Sequence, residues 1–243
     1  MITKRKNSLY PLCTQLKGSL SLIGLITVIS AIFLGEVIFV HLRYNIPIPE
    51  LTRDIAALGK IPFYAGFLSQ IGLFCWFASA MLCFFSANII EDYKTHQTLR
   101  RFLYASTFLT LVLGIDDAFQ FHEHVFPSLG VPERVTYISY GGLLLFYLFR
   151  FRRLILKTAY ILIAMALGFL GLSYGLDLLS AIAYLYPAIR PITSGGFSFL
   201  LEDGAKFIGI ISWLVYCFQI SKYSIRVSIA KSNIERLHYS ECR

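Results

Sequence analysis

The feature that most constrains this chain is a series of long apolar stretches separated by short polar segments. A helix needs about 20 mostly apolar residues to cross the hydrocarbon core of a membrane, and several stretches reach that length. Only 15% of the 243 residues are charged, whereas a soluble domain normally has about a quarter. The sequence therefore predicts an all-α integral membrane protein, folded as a polytopic bundle of transmembrane helices.

The apolar stretches predict six membrane-spanning helices. Their approximate bounds are 20–42, 61–90, 102–121, 134–150, 154–186 and 197–221. Gly168, Gly171 and Gly175 in the fifth span are typical of close helix packing, because small residues let two helix backbones approach each other. The predicted organisation is a basic N-terminal segment, a six-helix transmembrane domain and a basic tail, over residues 1–19, 20–221 and 222–243.

The basic residues predict the orientation of the chain. Of the 22 lysines and arginines, 16 fall on one side of the predicted membrane and five on the other, and Lys206 lies within the last span. Because cytoplasmic loops carry an excess of Lys and Arg, both termini are expected in the cytoplasm, with the chain multi-pass in the cell's inner membrane. The net charge of +8 comes from these flanking residues, so we expect membrane lipids and no nucleic acid among the partners.

Ionisable residues within the predicted spans mark a candidate functional site. A charge in the hydrocarbon region is costly and usually has a functional role. The segment GIDDAFQFHEH, residues 114–124, ends the third span, and the fifth and sixth spans carry further acids at a similar predicted depth. In the predicted topology this level is the outer third of the membrane. The candidate catalytic or binding residues are Asp116, Asp117, Glu123, His124, Asp177, Glu202, Asp203 and Lys206.

Helical phase narrows the choice of histidine. At about 100° per residue, a third helix that continued through residue 124 would place Asp116, Asp117, Glu123 and His124 on one face. His122 would fall outside that face. The pattern therefore favours His124 as the site histidine, and it predicts one connected outer cavity lined by the candidate residues.

The residue types suggest two kinds of chemistry. Histidine nitrogen together with carboxylate oxygens suits zinc, iron or manganese, and the predicted ligands are Asp117, His124, Asp177 and Glu202. The favoured interpretation is a metal-dependent, membrane-embedded enzyme that acts on a lipid or lipid-soluble substrate. Two alternatives stay open. One is a proton- or cation-coupled transporter or channel, since carboxylates, histidine and lysine form proton relays; the other is an assembly or scaffold protein.

Overall fold

The computed structural model describes residues 10–53, 58–62, 64–90, 97–185 and 196–241, and every regular element in this part of the chain is helical. The predicted all-α class is therefore confirmed. A π-helical turn, Phe121–Val125, and a single α-helical turn, Phe126–Ser128, follow the fourth helix. The main helices are α1 (Tyr10–Tyr44), α2 (Ile48–Thr52), α3 (Phe67–Ile89), α4 (Gln97–Phe119), α5 (Glu133–Ile155), α6 (Tyr160–Leu185) and α7 (Gly196–Glu241).

Five helical segments in the described residues are long and apolar enough to cross a membrane. They are Gly24–Tyr44, Phe67–Ile89, Gln97–Phe119, Tyr160–Leu179 and Phe199–Ser228. Helix α5 has 23 residues, as many as α3 and α4. It is less apolar, because tyrosines, glycines and arginines interrupt its aliphatic run. The chain thus has the apolar helices of an integral membrane protein, whereas the sixth span and the orientation of the termini stay predictions.

The chain forms two compact units, Met1–Ala65 and Gly66–Arg243. In the first unit, α1 is apolar and exposed along its candidate span. It ends where Asn45 takes a left-handed conformation, with φ of 55°, which asparagine tolerates better than most residues. His41 Nδ1 lies 2.8 Å from the Ile46 carbonyl oxygen at this turn, and Pro47 follows, so the helix cannot continue.

In the second unit, the buried residues of α3 are small except for Trp76, and its phenylalanines and Met81 are exposed. Small residues at the interface let helix backbones approach closely, and lipid solvates large apolar side chains without cost. This distribution is the one expected for a helix packed within a membrane. The buried small residues are Gly72, Ser79, Ala80, Cys83, Ser86 and Ala87. The exposed large ones are Phe67, Phe74, Phe77, Met81, Phe84 and Phe85.

Two glycines mark the closest approaches between helices in the second unit. A Cβ atom added at Gly209 of α7 would lie 2.7 Å from Leu170 Cγ and 3.0 Å from the Leu170 backbone nitrogen of α6. One added at Gly114 of α4 would lie 3.0 Å from Trp76 Cβ of α3. The predicted packing role of three other glycines is wrong for the described part of the chain, because a Cβ atom at Gly168, Gly171 or Gly175 would meet nothing there within 4 Å.

Buried polar bonds tie α4 to its neighbours. Ser106 of α4 is hydrogen-bonded to the Tyr147 hydroxyl of α5 at 2.8 Å. The Trp213 indole N–H of α7 donates to Thr110 Oγ1 at 2.9 Å. Such bonds orient helices in lipid, where apolar burial gives little preference for one neighbour over another. An aromatic cluster surrounds them and consists of Phe102, Tyr147, Phe151, Trp213 and Tyr216.

Helix α7 continues without a break through the predicted start of the basic tail. It has 46 residues, or about 69 Å at 1.5 Å per residue, which is longer than a membrane crossing needs. The predicted boundary between residues 221 and 222 therefore does not coincide with the end of a helix.

Candidate functional site

Two adjacent acids in the last turn of α4 serve two different centres. Successive residues of a helix point about 100° apart. Asp116 is bonded to the π-helical turn and to α5, whereas Asp117 is bonded to α7. We call the first centre the acid–histidine cluster; its members are Asp116, His122, Glu123 and Tyr140. The second centre is the Asp117–Lys206 ion pair.

The acid–histidine cluster forms because the α-helix is interrupted. Gln120 has φ of 51° and ψ of 43°, which ends α4, and the π-helical turn begins at the next residue. This change brings the following backbone back over the end of α4. The His122 backbone N–H donates to Asp116 Oδ1 at 3.0 Å, and His122 Nδ1 lies 2.6 Å from Asp116 Oδ2.

Asp116 accepts one more hydrogen bond, and His122 has a second carboxylate neighbour. The Tyr140 hydroxyl donates to Asp116 Oδ1 at 2.8 Å. His122 Nε2 lies 3.3 Å from Glu123 Oε1, so the imidazole lies between two acids. The hydrogen bond to Asp116 raises the pKa of His122 above its ordinary value of 6.5; burial opposes this shift, and Glu123 and Glu133 reinforce it. The hydrogen bond to Asp116 therefore favours the protonated form of the imidazole.

Aromatic rings from α5 and α6 cover one side of the histidine. The centroid of the Tyr137 ring lies 5.1 Å from that of the His122 ring, and the centroid of the Tyr174 ring lies 4.5 Å from that of the Tyr137 ring. The cluster thus has contacts from α4 and α5, and Tyr174 of α6 packs against Tyr137. Glu123 is the exposed member of the cluster. This wall separates the imidazole from its surroundings on the side of Tyr137.

The second centre joins α4 to α7 and borders a cavity. Lys206 Nζ donates to Asp117 Oδ1, so each charge is compensated by the other. A cavity of about 260 Å³ lies beside this pair, and it is lined by the start of α3, by Asp117, and by Asp203, Lys206, Phe207 and Ile210 of α7. Three of the eight candidate residues line this cavity, namely Asp117, Asp203 and Lys206.

The other candidates lie elsewhere, and one choice between two histidines is wrong. The side chain of His124 is 70% exposed, and its Nδ1 lies 3.9 Å from Glu123 Oε2. His122, placed outside the site by helical phase, is the histidine bonded to Asp116. The left-handed Gln120 explains the reversal, because an unbroken helix was assumed through residue 124. Asp177 is exposed and Glu202 partly exposed, and neither lines the cavity.

The predicted metal ligands do not converge in the described part of the chain. Within it, no group of three or more histidine, cysteine, aspartate or glutamate side chains is arranged to hold a metal ion. All four predicted ligands, Asp117, His124, Asp177 and Glu202, belong to that part. Two of the candidate acids have basic neighbours: Asp116 is bonded to His122, and Asp117 is paired with Lys206.

Comparisons with known proteins reach the level of a family. No curated protein and no solved structure matches the chain. One family model matches residues 20–220, which include both centres and all the candidate residues. Since this match covers most of the chain, the protein belongs to the family described as Domain of unknown function (DUF8692).

Proposed function

We propose that this protein translocates protons in a membrane, alone or together with a solute, and that Glu123, His122 and Asp116 form the entry to the proton path. The observation that carries the proposal is an imidazole held between two carboxylates of unequal exposure. The side chains are 45% exposed at Glu123, 13% at His122 and 9% at Asp116. The three groups thus lead from the surface of the bundle into its interior.

The geometry suits transfer through the imidazole. One ring nitrogen, Nε2, lies 3.3 Å from Glu123 Oε1, and the other, Nδ1, is hydrogen-bonded to Asp116. Histidine can accept a proton at one nitrogen and release the proton of the other, and it changes charge near physiological pH. The Tyr140 hydroxyl on Asp116 extends the hydrogen-bonded chain by one group.

A change of charge at His122 would also act on the helices. Asp116 is bonded to the backbone of the π-helical turn and to Tyr140 of α5. Loss of the imidazolium proton would leave the Asp116 carboxylate without a charged partner in a buried position, which is unfavourable. Protonation and the arrangement of α4, the turn and α5 are therefore coupled in this proposal.

The metal-dependent enzyme has less support. Its four predicted ligands do not meet among the described residues, and a lipid or lipid-soluble substrate stays a prediction. A bound divalent ion, zinc, iron or manganese, stays a prediction as well. Elemental analysis of the purified protein before and after chelation would test it.

We further propose that the bundle lies in the cell's inner membrane with both termini in the cytoplasm. The distribution of the basic residues, 16 against five, supports this orientation. Both termini lie on the same side only if the chain crosses the membrane an even number of times. Helix α5 would therefore be a sixth span, in addition to the five apolar ones. Membrane lipids are the immediate partners in this placement.

The experiment is a proton flux measurement with a matched pair of histidine variants. The purified protein is reconstituted in liposomes that contain a pH-sensitive dye, and a pH gradient is applied with and without candidate solutes. We expect the wild type to dissipate the gradient faster than empty liposomes and His122→Gln to lose this excess. His124→Gln is the control, because its exposed side chain lies outside the cluster. Equal fluxes for the wild type and His122→Gln would contradict the proposal.

A further inference from the structure

The cavity beside the Asp117–Lys206 pair is lined by a further charged residue, Asp203, which has no part in the proposed proton path. It lies near one end of three candidate spans. Phe67 is the first residue of α3, and Asp117 lies two residues before the end of α4. Asp203 lies four residues into the span that begins at Phe199, which is about 6 Å along the helix. Such positions correspond to the lipid headgroup level and not to the centre of the hydrocarbon core.

The lining of the cavity has one uncompensated negative charge. Lys206 is paired with Asp117, so these two side chains together are neutral. Asp203 is exposed and lines the same cavity. Among the described residues it has neither a hydrogen-bond partner nor an oppositely charged partner within ion-pair distance. A ligand that brings a positive charge would therefore complete the arrangement.

The rest of the lining is largely apolar. Four of the ten lining residues have large apolar side chains: Phe67 and Leu68 of α3 and Phe207 and Ile210 of α7. Methylene groups attached to a cation pack well against such side chains, and aromatic faces attract the cation itself. The volume, about 260 Å³, is slightly below the range of roughly 300–1,000 Å³ that is typical of ligand pockets. It suits a small headgroup with the first carbons of its chain.

We propose that this cavity binds a primary ammonium group joined to an apolar chain, with the Asp203 carboxylate accepting hydrogen bonds from the ammonium. The headgroup of an amine-bearing phospholipid and a free alkylamine share this chemistry. The site does not depend on the proposed proton path, because Asp116, His122 and Glu123 do not line the cavity.

Calorimetric titration of the purified full chain in a neutral detergent tests the site. Hexylammonium is the probe, and hexanol of equal chain length is the uncharged control. Asp203→Asn should weaken hexylammonium binding by about tenfold or more, since a hydrogen bond to a charged group is lost. Asp203→Glu should retain most of the affinity. Glu202→Gln, one position earlier on α7, is the matched control and should bind like the wild type.

Two results would overturn the proposal. One is hexanol binding as tightly as hexylammonium, and the other is unchanged hexylammonium binding by Asp203→Asn. Thermal unfolding of each variant shows whether the bundle is intact, and an exposed, unpaired Asp203 should tolerate the change to asparagine. The hexylammonium titration is independent of the flux measurement, whether or not His122→Gln loses proton flux.

A second measurement separates the two sources of the ammonium group. The protein is released from membranes of equal parts phosphatidylethanolamine and phosphatidylcholine, and the lipids that remain bound are identified by native mass spectrometry. Enrichment of phosphatidylethanolamine on the wild type, but not on Asp203→Asn, assigns the site to the lipid headgroup. Hexylammonium binding without such enrichment assigns it to a free amine.

Discussion

The packing of α6 against α7 can be tested by making the same substitution at two glycines of α7. At Gly209, a new Cβ atom would lie 3.0 Å from the Leu170 backbone nitrogen and 3.1 Å from the Ala166 backbone oxygen. Ordinary contacts of a Cβ atom begin at 3.4 Å. The Leu170 backbone must therefore move away by about 0.4 Å (3.4 Å less 3.0 Å), and Leu170 Cγ, at 2.7 Å, by about 0.7 Å. At Gly204, a Cβ atom would meet nothing within 4 Å.

The two variants should change stability in opposite directions. Alanine is more favourable than glycine within a helix by about 0.8–1.0 kcal/mol, and this gain applies at both positions. At Gly209 it is opposed by overpacking, which typically costs about 1–3 kcal/mol. We expect Gly204→Ala to raise the free energy of unfolding and Gly209→Ala to lower it. The difference between the variants should equal the overpacking cost, about 1–3 kcal/mol.

Chemical unfolding of the detergent-solubilised protein measures this difference. Circular dichroism follows the loss of helix, and tryptophan fluorescence follows the loss of packing around the two buried tryptophans, Trp76 and Trp213. Because the gain in helix propensity is common to both variants, it cancels in the comparison. Equal stability of Gly204→Ala and Gly209→Ala would show that α6 and α7 do not approach as closely as the structure has them.

Two further predictions concern the charged centres. The bond to Asp116 and the field of Glu123 raise the pKa of His122 above 6.5, so its stabilising contribution is complete below about pH 6.5 and is lost as pH rises through the folded-state pKa. As pH rises from about 6.5 through the folded-state pKa, the unfolding temperature should fall in the wild type but not in His122→Gln. NMR titration of the His122 imidazole should give a pKa above 6.5. A pKa below 6.5 would refute the stabilising bond between His122 and Asp116. In the second centre, Asp117→Asn and Lys206→Met should each destabilise the protein, and the double variant should be more stable than the sum of the two losses predicts. We expect a coupling energy in the lower part of the usual range of about 0.5–3 kcal/mol, because the Lys206 side chain is 42% exposed and solvent screens the pair. A coupling of zero would mean that the pair does not contribute.

Helical class and apolar segments could be predicted from the sequence because they depend on local composition. A run of about twenty apolar residues can adopt few structures in a membrane, and this holds regardless of which residues or helices become its neighbours. The assignment of His124 in place of His122 depended on something less local, an unbroken helix from Asp116 onward. One residue, Gln120, takes a left-handed conformation. Glutamine has no special preference for that conformation, unlike glycine or asparagine, so the sequence offers no signal for the break.

The direction in which each polar side chain points around the bundle was also beyond sequence reasoning. Depth along a helix follows from counting residues, and Asp117, Asp203 and Lys206 are indeed brought to one cavity. Direction depends on which helices become neighbours, and the contact of Tyr140 with Asp116 depends on the docking of α5. A tyrosine in the middle of an apolar helix is a weak indication, because most such tyrosines face lipid or core.

The adjacent acids of α4 make the two centres mechanically dependent on each other. Asp116 and Asp117 belong to one helical turn, so a rotation of that turn that breaks the bond to His122 also moves the partner of Lys206. A displacement at one centre therefore reaches the other unless the backbone absorbs it nearby. The π-helical turn at Phe121–Val125 is such a place, since π-helical turns have weaker regular bonding and often mark functional sites. Movement at the turn would change the distance from His122 to Asp116 while leaving Asp117 in contact with Lys206. In this arrangement, the proposed proton transfer at the cluster would leave the bundle around the cavity intact.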